Sequence, residues 1–124
     1  MATQPLIPIY TTRGDADAFL DYPYIYNRNG EWIGWVTAQR EVYSVMGAYV
    51  GWLSNDPRIL RKRSGGYDHP HLSPPPSPPH LAVPVTVPLP PLMPELSLST
   101  IDVLDEEPDL MPTVDFGELR PDLE

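Results

Sequence analysis

The sequence predicts a mainly β protein: a small antiparallel sheet of tandem β-hairpins, then a proline-rich, largely disordered acidic tail in which a short helix can start. Three observations lead there. A glycine-aromatic motif occurs twice, 17 residues apart, at residues 25–36 and 42–53. Proline makes up 18 of 124 residues but is unevenly spread, with four in residues 1–66 and fourteen in residues 67–124. Charge divides at the same place: the first part holds seven Arg or Lys against six Asp or Glu, the second one against eleven.

Residues 1–21 read as an N-terminal extension, and residues 22–54 as the hairpin domain. The corresponding pairs are Ile25/Val42, Tyr26/Tyr43, Gly30/Gly47, Trp32/Tyr49, Ile33/Val50, Gly34/Gly51, Trp35/Trp52 and Val36/Leu53. Their β-branched and aromatic content disfavours helix and suits a pleated strand. Asn29-Gly30 is a tight-turn dipeptide whose two residues both tolerate positive φ, so Ile25–Tyr26 and Trp32–Val36 pair across it. Gly34 and Gly51, each between large residues, point to a bulge or a close backbone approach. Two such hairpins joined by Thr37–Glu41 make a four-stranded sheet. In so small a domain the aromatic side chains are first of all core. Trp35 and Trp52 are the candidates for an outward face that docks a partner.

Residues 55–66 form a basic segment. Arg58, Ile59, Leu60, Arg61, Lys62 and Arg63 combine cations with apolar side chains, a pattern suited to an anionic membrane surface or an acidic protein. The same cations can also fold back on the acidic tail. Residues 67–94 are the proline-rich linker, of which residues 70–94 span roughly 75 Å in polyproline II geometry. It serves as a spacer or as the ligand of an aromatic groove. Its apolar residues exceed a spacer's needs and imply that it lies along a surface. Residues 95–124 are an acidic partner-binding tail. Ser99 and Asp102 fit a capping box before a short helix. Ile101, Val103, Leu104, Leu110, Met111, Val114 and Phe116 are apolar anchors in an acidic background, the pattern of a segment that folds on binding. Ser97, Ser99 and Thr100, upstream of three acids, are candidate phosphorylation sites.

Composition narrows the function. Without cysteine there is no disulfide, thiolate metal site or thioether-linked cofactor. His69 and His71 lack a third ligand at metal-binding spacing, so no metal and no cofactor is expected. No apolar run reaches the ~18 residues of a membrane span and no signal pattern opens the chain, so a soluble intracellular protein is expected. A formal charge of −9 argues against nucleic acid. No phosphate-cradling loop, nucleophile elbow or paired catalytic carboxylate in a cleft is present, so the chain reads as non-enzymatic. Two classes remain: a linker between surfaces of unlike potential, or a self-associating β-repeat module with a solubilising tail.

The repeat Y-x-x-x-G-x-[WY]-[IV]-G-W-[VL] resembles the four-fold β-flower domains of small bacterial proteins, built from glycine-aromatic hairpins and often trailing proline-rich tails. The lead-in IYTTRGDADAFLDYPYIYNRNGEWIGWV, the segment NDPRILRKR, the proline tract and the closing GELRPDLE together look like a cyanobacterial type. The resemblance implies an accessory linker on the membrane-facing side of the phycobilisome core. It further implies core subunits and a photosystem as partners, the cytoplasmic face of the thylakoid as location, and no catalytic residues.

Overall fold

Hydrogen bonding carries the backbone through eight strands, each antiparallel to the next, in the order β1-β2-β3-β4-β5-β6-β7-β8. They are β1 (Ile7–Tyr10), β2 (Ala16–Asp21), β3 (Tyr24–Asn27), β4 (Trp32–Val36), β5 (Glu41–Ser44), β6 (Tyr49–Leu53), β7 (Ile59–Lys62) and β8 (Thr100–Asp102). The computed structural model describes residues 6–63 and 69–113, and the sheet curls into a half-barrel.

The tandem repeat extends to four units among the described residues. Ile9, Ile25, Val42 and Ile59 hold equivalent places on the first strand of each hairpin, and all four are fully buried. They meet Leu20, Val36 and Leu53 in one apolar core. In the first three hairpins one residue is extra on the returning strand, as the register shifts opposite Ile9/Tyr10, Ile25/Tyr26 and Val42/Tyr43 require. The extra residues are Asp17, Ile33 and Val50. Ile33 and Val50 enter the core, and Asp17 stands at the corresponding place of the first hairpin.

Gly34 and Gly51 make the close approach that the sequence predicts. A Cβ on Gly34 would fall 2.6 Å from the Tyr43 carbonyl oxygen, and one on Gly51 would collide with that of Leu60. The hairpin tips have three-residue loops, closed by Asn27 N–H to the Glu31 carbonyl and Ser44 N–H to the Ala48 carbonyl, 2.8 Å each. Only the last loop residue has positive φ, Gly30 at 81° and Gly47 at 87°; Asn29 does not. At the opposite end β2 turns into β3 through a cis Tyr22–Pro23 peptide bond.

Four sequence expectations need correction. The sheet has eight strands, not four. The N-terminal extension contains the first hairpin, whose Ala16, Asp17, Ala18 and Phe19 stand where the second has Trp32, Ile33, Gly34 and Trp35. The basic segment supplies β7, and the acidic tail supplies β8, so residues 63–99 are an insertion inside the fourth hairpin. Ser99 does not cap a helix. Thr100–Asp102 continue the sheet, and the single helical turn at Val103–Glu106 starts after Asp102, with no side-chain cap. The Asp102 carboxylate is engaged elsewhere, taking the N–H and hydroxyl of Thr12 at 2.6 and 2.7 Å. That contact joins the first and last edges of the curled sheet.

Candidate interaction site

The proline tract is not a free spacer. It returns from β7 across the tips of the third, second and first hairpins in turn. His69 stacks on Tyr49, ring centroids 3.6 Å apart, and its Nε2 lies 3.8 Å from Glu41. Leu72 N–H donates to the Gly47 carbonyl at 3.0 Å, and nine residues on Leu81 N–H donates to the Gly30 carbonyl at 3.0 Å. Pro90 lies over Gly14, so the third turn glycine is also met. The tract's carbonyls are taken in return: Tyr24 donates its hydroxyl to Pro76 at 3.0 Å and Tyr10 to Pro88 at 2.7 Å. His80 Nε2 sits 2.6 Å from the Asn29 carbonyl oxygen.

The surface beneath is aromatic. Tyr24 and Trp32 meet edge to face at 6.0 Å, Trp35 stacks on Tyr43 at 5.1 Å, and Tyr43 meets Tyr49 at 5.7 Å. Leu81 packs on the cluster of Tyr26, Trp32 and Val45. Burial lifts the phenol pKa of Tyr26, Tyr43 and Tyr49 above its ordinary value, with neighbouring carboxylates adding to the effect. Aromatic rings and donor hydroxyls facing proline carbonyls are the means by which polyproline grooves hold their ligands. Here they hold a segment of the same chain.

The strap has an outer side. Val85, Leu89, Leu92 and Leu98 are 90% exposed or more. Over residues 88–96 exposure follows a three-residue period. Pro90, Met93 and Leu96 are half-buried, while the residues between them are exposed. Three residues per turn is the polyproline II repeat.

A buried polar cluster anchors the end of the strap. Arg58, 1% exposed, donates from Nη2 to Asp56 at 2.7 Å and to the Pro94 carbonyl at 3.0 Å, and from Nη1 to Thr12 at 3.1 Å. Burial works against the Asp56 charge. The hydrogen bonds from Arg58 and Ser54 outweigh it and hold the carboxyl below its ordinary pKa. For Asp102 burial prevails over the Thr12 hydrogen bonds, and its pKa is raised.

These contacts redistribute the sequence candidates. Arg58, Ile59 and Leu60 are buried, so they form no exposed basic patch. Arg61 turns its guanidinium to the Val50 carbonyl at 2.8 Å, and Arg63 to the Leu98 carbonyl at 2.9 Å; Lys62 is exposed. Of these cations Arg63 meets an acid of the tail, Glu106 at 3.7 Å; the closer pair, Arg13 with Asp105 at 3.0 Å, comes from the turn of the first hairpin and not from the basic segment. Trp35 and Trp52 are half-buried, and the Trp35 indole donates to the Ser44 carbonyl. Ile101, Val103 and Met111 are buried, with Leu104 and Leu110 packed beside them: these anchors complete the chain's own core. Val114 and Phe116 lie outside the described residues. Ser97 and Ser99 are exposed and hydrogen-bonded to each other at 2.9 Å, whereas Thr100 is half-buried on β8.

Sequence reasoning missed Tyr10, Tyr24 and Gly14 as strap contacts. A usable signal exists in the His-Leu pairs His71-Leu72 and His80-Leu81, nine residues apart, which fall in step with the turn glycines. A cleft of about 770 Å³ also opens between Arg28, Asp17, Ile33, Leu104, Asp109 and Met111. Burial raises the Asp17 pKa, opposed by Arg28 at 3.6 Å. Among the described residues its lining offers carboxylates, a guanidinium and the Thr113 hydroxyl. No helix among the described residues is long and apolar enough to cross a membrane.

Three glycine-turned hairpins and a fourth that is split by the strap, all around one core and with the strap across the three turns, define a repeat-built β protein. The profile of the family described as 4-fold beta flower protein matches residues 7–104, from the first strand of the first hairpin to just beyond the last strand of the fourth. The chain belongs to that family. Comparison with curated proteins and with solved structures found no match.

Proposed function

We propose that the protein is a non-catalytic adaptor whose sheet serves as a frame for the strap, and that the strap and acidic tail dock on a larger assembly. One observation carries this reading: Val85, Leu89, Leu92 and Leu98 project uncovered from a segment that the sheet holds along its length. Leu89 and Leu92, one polyproline turn apart, are the pair best placed to act together on a partner. A held segment also binds without the ordering cost of a free one. The charge of −9 directs the acidic end toward a cationic surface.

The sequence resemblance supplies the finer reading, with the phycobilisome core as the assembly and the thylakoid or a photosystem on the far side. The basic segment contributes less to that second contact than the sequence implies, because Arg58 is buried and Arg61 and Arg63 are committed to carbonyls. Self-association through strand edges is the weaker alternative, since Thr12 and Asp102 draw the two edges together. The test is a pull-down from cyanobacterial membrane extract. Its baits are the full chain, a Leu89→Ser/Leu92→Ser/Leu98→Ser variant and a chain ending at Thr113. Phycobiliproteins recovered by the full chain and lost from either variant are the expected result. No antenna or photosystem subunit on any bait would remove the antenna assignment.

A further inference from the structure

We propose that residues 88–96 are a pre-organised polyproline ligand for a partner groove lined by aromatic side chains and ending in a cationic one. This rests on the adaptor reading and specifies its contact. The segment is three triplets, Pro88-Leu89-Pro90, Pro91-Leu92-Met93 and Pro94-Glu95-Leu96. In a helix of three residues per turn, equivalent triplet positions share one edge. The third positions, Pro90, Met93 and Leu96, are the half-buried ones, and Pro90 lies over Gly14 of the first hairpin. The first and second positions are all exposed, with Leu89 at 90% and Leu92 at 100%.

Two adjacent ridges therefore face outward, one of prolines and one reading Leu, Leu, Glu. Grooves that recognise polyproline take such proline-apolar pairs into successive slots between aromatic rings. Pro88-Leu89 and Pro91-Leu92 fill two slots, and Pro94-Glu95 presents a carboxylate to the third. That carboxylate selects a cation in the partner and disfavours an anionic lipid surface. A second copy is a poor host, because the aromatic rim of each copy already carries its own strap. The sheet fixes the ligand at both ends. Tyr10 holds the Pro88 carbonyl and Arg58 the Pro94 carbonyl, so the backbone between them is set before any partner arrives.

The experiment places a benzophenone photocrosslinker at Leu89, Leu92 or Met93 of the full chain, irradiates in the same membrane extract, and maps the crosslinked peptide by mass spectrometry. The outward positions should capture one protein, at a stretch containing Trp or Tyr with Lys or Arg within a few residues. Met93 should crosslink within its own chain. Against that protein, Leu89→Ser/Leu92→Ser should weaken affinity about tenfold or more, and Glu95→Gln a few-fold, with a shallower salt dependence. These side chains are exposed, so both variants should melt with the parent chain. Crosslinks into lipid, a second copy or a surface without aromatic residues would overturn the proposal. So would no crosslink at the outward positions, or unchanged affinity in the leucine variant. If the triple serine variant still recovers the assembly while the chain ending at Thr113 does not, the adaptor reading stands and this inference falls.

Discussion

Arg58 shows how much one side chain changes meaning between sequence and structure. In RILRKR it reads as one cation of a surface patch, because position in a charge run carries no information about burial. Its spacing from Ser54 and Asp56 decides the matter. The turn before β7 returns the Ser54 hydroxyl to the Arg58 N–H at 2.8 Å and places Asp56 under the guanidinium. Removing Asp56 leaves a buried cation without its counter-charge. Asp56→Asn should therefore cost about 3 kcal/mol, read from urea unfolding. Asp102 predicts a pH dependence of opposite sign to that of Asp56. Its folded pKa is raised above 3.8, so the folded state binds the proton more tightly than the unfolded one. The stability it contributes is fully present below 3.8 and is lost as pH rises through the elevated value. Asp102→Asn, which still offers Thr12 an acceptor, should flatten that part of the stability–pH curve and raise the melting temperature at neutral pH. An unchanged curve would show that Asp102 does not titrate there.

At the scale of the element, the second and third hairpins were legible and the other two were not. Glycine, tyrosine and tryptophan in matched places make residues 25–36 and 42–53 stand out. The first hairpin keeps the buried Ile9, the Tyr10 and the turn Gly14 but has Ala18 where the others have glycine, so motif matching passes over it. The fourth is split by the strap, and no local pattern reveals that β7 pairs with β8. Proline content likewise predicts the strap's extended backbone but not its docking, which depends on a surface formed by other parts of the chain. That docking relies on bare turn glycines. A Cβ at Gly47 would collide with the Leu72 carbonyl, and the positive φ of 87° adds strain of roughly 1 kcal/mol. Gly47→Ala should therefore lift the strap locally while leaving the core intact. Limited proteolysis should find faster cleavage around residues 69–76 with little change in circular dichroism.

At the scale of the molecule, the strap and the sheet are one structure. The acidic tail that composition assigns to a partner supplies β8, Val103 and Met111, so five of its seven anchors serve the chain's own core. A chain ending at Ser64 loses that strand and the Asp102 closure together, and should fail to fold cooperatively. One ending at Thr113 keeps both and should melt close to the full chain. The central claim is that the proline tract is a fixed display and not a loose spacer. Amide hydrogen exchange on the full chain tests it most directly. The Leu72 and Leu81 amides, bonded to Gly47 and Gly30, should exchange well over tenfold more slowly than unstructured peptide and become unprotected in Gly47→Ala and Gly30→Ala respectively. Exchange of both at the free-peptide rate, beside a protected Ile25 and Val42, would contradict the account and return the tract to the role of a tether.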